Sequence, residues 1–139
     1  MNLLERTVQS LKLIHMGMIS AVVVYGIVGE FVLHPQPRGL GSVPLILVVI
    51  ASSMLTFGYT IRTSMVLPAE EQVRRDPDNP AVVMRWRSGV LISIMLCEGV
   101  GLLGFVLRIL GGPPIVAIVM YAISLGYLIM LAPKQPGTN

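Results

Sequence analysis

Charge is scarce in this sequence: 12% of its 139 residues are Asp, Glu, Lys or Arg, about half of the ~25% usual in soluble domains. Hydrophobic residues make up 54% and mean hydropathy is +0.79, so a globule coated in polar side chains is excluded and a helical membrane protein is expected. One cysteine, Cys97, excludes an intrachain disulfide, and no Cys/His spacing suits a metal. The two histidines, His15 and His34, are not a mid-span pair, which argues against haem b ligation by this chain alone. Walker loops, nucleophile elbows, zincin motifs and dinucleotide fingerprints are missing too. No catalytic activity, metal or cofactor is therefore expected. The net charge of +3 does not point to nucleic acid, because the basic residues sit between hydrophobic stretches and not on one arm or face.

What remains is an all-α pattern of four hydrophobic spans in one domain covering residues 1–139. A short amphipathic lead-in, 1–10, precedes span one at about 11–33; this run is longer than a signal-peptide core and lacks a cleavage site at its end, so it reads as retained. The Pro- and Gly-rich segment 34–44 is a loop. Span two covers about 43–66, with Pro44 in its first turn. The longest polar stretch, 67–84, carries a turn at Asp76-Pro77-Asp78-Asn79-Pro80. Span three runs from about 87 to 110 and stops at Gly111-Gly112-Pro113-Pro114, span four covers about 115–131, and PKQPGTN is a short tail.

With four crossings, Arg6, Lys12, Arg62, Arg74, Arg75, Arg85, Arg87 and Lys134 fall on one side and only Arg38 and Arg108 on the other. The positive-inside rule then predicts both termini in the cytoplasm of a multi-pass bacterial inner-membrane protein. A weak internal repeat aligns Gly26 with Gly104 and Ser20 with Glu98, compatible with two tandem hairpins and equally with chance alignment of two apolar helices.

Glu98 is the residue that demands an explanation. At 1.5 Å per residue it lies roughly 15 Å from both Arg87 and Arg108, the depth of a bilayer midplane. A charge there costs about 2.5–3.5 kcal/mol on insertion scales, so it should face protein or water. It shares a helix face with Ile94, Gly101, Leu102 and Phe105, and Gly101 permits a close neighbour. Such a carboxyl is either a hydrogen-bonding link between helices or a group that loads and releases a proton. Ser53 (or Ser52), Thr56 and Thr60, continuing to Thr63 or Ser64, form a hydroxyl stripe on span two. It is placed either to satisfy Glu98 or to bond back to its own helix. Glu30 and His34, four apart at the outer end of span one, are expected to meet as a hydrated interfacial pair. His15 is expected at the opposite interface without a special role. Tyr121, Ser124 and Tyr127 read as packing and interface anchors, with a quinone site between spans three and four as the weaker alternative.

The stretch Ala69–Gly112 resembles the second half of subunit c of rotary ATP synthases, the proteolipid family. Arg75-Asp76-Pro77 stands where that family has a polar cytoplasmic Arg-Gln-Pro loop, and Glu98, in a Met-x-Cys-Glu-x-x-x-x-x-Gly setting, stands where it has its ion-binding carboxylate. With span two the resemblance covers about residues 44–110. It departs from the family in two respects: span two lacks repeated glycines, and the carboxylate is on span three of four. The resemblance implies a proton-binding role for Glu98, supported by Thr56 or Ser53. The expectation from the residues themselves is a non-catalytic accessory or structural subunit whose partners are the lipid bilayer and itself or other membrane subunits.

Overall fold

The computed structural model describes residues 3–32 and 39–133, and these are all-helical, without a strand among them. α1 (Leu3–Ile27) ends in a π-helical turn over Val28–Val32; α2 (Val43–Ile61) passes through a second π turn at Arg62–Val66 into α3 (Leu67–Arg75); α4 (Pro80–Ile109) and α5 (Pro114–Met130) follow. Three stretches, Leu3–Val32, Val43–Arg75 and Pro80–Ile109, are long and apolar enough to cross a membrane, and Pro114–Met130 is a shorter apolar helix. The molecule is therefore a bundle of apolar helices of membrane-spanning dimensions, and the expected helix count fits.

Element ends differ from the sequence reading where polar residues are helical. The lead-in belongs to α1 from Leu3 onward, because Leu4, Val8 and Leu11 recur at helical spacing and are buried. The polar stretch after residue 66 is not a loop. The chain stays helical to Arg75, with Ala69 and Val73 buried and Glu71 paired to Arg74 and Arg75 along the outer face. Pro68 is accommodated because the π turn before it widens the helix where the proline ring would meet a carbonyl; Leu67 N–H bonds Arg62 O across that turn. Only Asp76–Asn79 leaves the helix. Asn79 then caps α4, its side chain accepting from Ala81 N–H at 3.2 Å, so α4 begins at Pro80 and not near 87.

α4 ends as its Gly-Gly-Pro-Pro sequence predicts. Gly111 takes φ +83°, Gly112 N–H bonds Leu107 O and Gly111 N–H bonds Arg108 O, both at 2.9 Å. This is the Schellman closure, and the positive φ requires a residue without Cβ.

α4 is the central helix, contacting α1, α2 and α5. Its glycines set the approach on two sides. A Cβ on Gly101 would lie 3.1 Å from both Val22 and Ser124, and one on Gly104 would lie 3.1 Å from Met120 and Tyr121, so α1 and α5 meet α4 closely there. On another side Gly89 meets Val66 and Gly99 meets Met54 of α2. These contacts run α1 parallel to α4, and α2 and α5 antiparallel to it. α1 packs on α4 and α5, while α2 packs on α4. Consecutive spans one and two thus do not form a packed hairpin, in contrast to the tandem-hairpin arrangement. The repeat glycines Gly26 and Gly104 do converge: each lies against Tyr121.

Candidate functional site

Glu98 projects from the middle of α4 at the edge of its contact with α1, half-buried. Its partner is Tyr25, whose hydroxyl donates to Glu98 Oε1 at 2.8 Å. Side chains on a helix lean toward its N-terminus. Tyr25 therefore reaches back past Val22, which rests on Gly101, to the level of Glu98 one turn earlier on α4. The Tyr25 ring is fixed by stacking on Phe105, centroids 5.4 Å apart at 22°. Phe105 is one of the face-mates the sequence assigns to Glu98. Tyr25 is not singled out by the sequence; a tyrosine amid an aliphatic run was the available signal.

The hydroxyl stripe of α2 does not reach Glu98. Ser53 donates to Val49 O, Thr56 to Ser52 O and Thr60 to Thr56 O, each at 2.9 Å and each exposed. Thr63 and Ser64 bond back in the same way. The stripe lines an open groove with Val49, Ser52 and Phe57 on the outside of α2. The reason is geometric: α2 presents Ala51, Gly58 and Ile61 to the bundle, which turns the hydroxyls outward.

A second polar group closes the other end of α1. Arg108 Nε lies 2.8 Å from Glu30 Oε1, with side-chain exposures of 11% and 17%. The pair is an ion contact whose N–H is not aligned as a hydrogen bond. Arg108 also donates from Nη1 to Gly112 O at 3.0 Å, tying the end of α1 to the turn between α4 and α5. Glu30 thus meets Arg108; His34, its expected partner, lies outside the described residues. The π turn at Val28–Val32 contains both Glu30 and Gly29, where a Cβ would meet the Tyr121 hydroxyl. Tyr121 is buried there, its hydroxyl without a hydrogen-bond partner among the described residues.

Two further polar residues link helices. His15 is buried between α1 and α5, and its Nε2 lies 2.6 Å from the carbonyl of Leu128 near the end of α5. Ser124, fully buried, donates to Cys97 O at 2.6 Å. Arg75, Asp76 and Pro77 are exposed at the α3–α4 turn; Arg75 pairs with Glu71 at 3.2 Å and Asp76 accepts from Asn79 Nδ2 at 3.0 Å. Among the described residues no group of His, Cys, Asp and Glu is arranged to hold a metal.

No family model matches the chain, and no curated protein or solved structure matches it.

Proposed function

We propose that this chain is a non-catalytic integral membrane subunit that packs into a homo-oligomer or a larger membrane complex. The observation that carries this reading is the outward face of α2. Its Ser52, Ser53, Thr56 and Thr60 satisfy their own hydroxyls, leaving a shallow groove of small hydroxyl side chains flanked by Val49 and Phe57 on an apolar helix. In lipid, where hydrophobicity does not drive helices together, small residues that permit close approach do. The basic residues near the ends of the helices support a bacterial inner-membrane setting with both termini cytoplasmic. Thr56→Leu, which fills the groove, is expected to reduce the native particle to a smaller species in mild detergent. An unchanged particle that co-purifies with nothing would overturn the proposal. Reporter fusions at each terminus test the orientation.

A second reading treats Glu98 as a proton-binding group, in line with the subunit c resemblance. It is supported by the Tyr25–Glu98 hydrogen bond, which engages one carboxylate oxygen on a half-buried side chain in mid-helix. Selective carbodiimide modification of Glu98, blocked in Glu98→Gln, is the expected result. No modification at Glu98 in the intact membrane would leave it a purely structural link.

A further inference from the structure

A cavity of about 170 Å³ opens where the π turn after α2, the first half of α4 and the end of α5 converge. Arg62 stands nineteen residues after Val43 and Met130 sixteen after Pro114, roughly 28 and 24 Å along their helices. Those distances approach the ~30 Å hydrocarbon thickness, so with Val43 and Pro114 at the opposite face the cavity falls at the head-group layer.

Its lining combines an apolar floor with two opposite charges. Val66, Val90, Met130 and Leu131 supply the floor, and Arg62 and Glu70 face the same space. Neither is in an ion pair among the described residues: the acidic partners there are Glu30 and Glu71, and the basic ones are Arg74, Arg75 and Arg108. Both charged residues are half-buried. An arginine and a glutamate beside an apolar surface, neither ion-paired among the described residues, match a ligand that carries an anion, a cation with N–H donors and a hydrocarbon chain.

We propose that this cavity binds the head group of a phosphatidylethanolamine-type lipid. Arg62 takes the phosphate, for which its planar guanidinium is suited. Glu70 accepts from the primary ammonium, and the first part of an acyl chain lies on the apolar floor. The charges also set the selectivity. A net anionic phosphatidylglycerol places no cation opposite Glu70, and a choline lipid offers it no N–H. The proposal rests on the membrane reading of the helices, which sedimentation of the expressed protein with the membrane fraction tests separately.

The test is native mass spectrometry of the delipidated full chain offered equal amounts of phosphatidylethanolamine, phosphatidylglycerol and phosphatidylcholine with identical acyl chains. Wild type is expected to retain phosphatidylethanolamine over the other two. Arg62→Gln should lower its retention about tenfold, the scale of one charge-assisted contact. Glu70→Gln should leave lipid binding intact while abolishing the preference over phosphatidylglycerol. Because Arg62→Gln faces the bundle and can disturb folding, Glu70→Gln at the membrane edge is the deciding variant. Equal retention of the three lipids by wild type, or an unchanged preference in Glu70→Gln, would overturn the proposal. Free phosphoethanolamine binding as tightly as the lipid would overturn the acyl-chain part.

Discussion

Tyr25 and Glu98, seventy-three positions apart, share a 2.8 Å hydrogen bond that joins α1 to the middle of α4. The phenol brings a donor to the carboxyl from within the bundle, and Phe105 holds its ring in place. Interhelical hydrogen bonds of this kind average about 0.6 kcal/mol in a membrane and reach about 1.7 kcal/mol.

Tyr25→Phe removes the donor and keeps the ring stack. It should lower stability by about 0.6–1.7 kcal/mol in wild type and have almost no effect in a Glu98→Leu background. Reversible unfolding in mixed micelles of the two single variants and the double variant measures the coupling; additive effects would show that the bond contributes nothing.

The Glu30–Arg108 contact is more enclosed, with 17% and 11% of the side chains exposed. Removing one partner strands a largely buried charge. Arg108→Met or Glu30→Gln alone should therefore cost about 3–5 kcal/mol, whereas the double change Glu30→Leu/Arg108→Met should recover most of that loss. The same unfolding assay decides it. A double variant losing as much as Arg108→Met, with Glu30→Gln nearly neutral, would assign the cost to the Arg108–Gly112 link instead.

Glycine substitutions should separate packing from propensity. Gly104→Val places carbon atoms against Met120, Tyr121 and the Ala117 carbonyl, where even a Cβ has only 3.1–3.2 Å, and should destabilise by about 1–3 kcal/mol. Gly17 has nothing within 4 Å of such a Cβ, so Gly17→Ala should stabilise α1 by about 0.5–1 kcal/mol. Thermal melts in one detergent compare the two directly.

Residues 67–75 offer a test of the fold itself. Amides from Glu70 to Arg75 should exchange slowly because they lie within a continuous helix with Ala69 and Val73 buried. Within residues 67–84, exchange measured by mass spectrometry in nanodiscs should show fast amides only around Asp76–Asn79.

Much of the architecture was legible in the sequence, because its signals are local. Apolar runs give the helices, and Gly111-Gly112-Pro113-Pro114 gives a stop. The extension of helix through residues 67–75 was not legible. Its polarity resembles a loop, and its helicity depends on two small apolar side chains packing on α4 and on a π turn that admits Pro68.

The sequence by itself determined that helices are apolar and that one carboxyl, Glu98, lies midway along the third of them. Which groups meet was decided only by tertiary structure: Tyr25 for Glu98, Arg108 for Glu30, Leu128 O for His15, and open space for Thr56. The reason is that helices apolar on nearly every side carry little periodic signal to say which face turns inward. Here the choice falls to where glycines let backbones approach, and Gly89, Gly99, Gly101 and Gly104 place α4 in the centre.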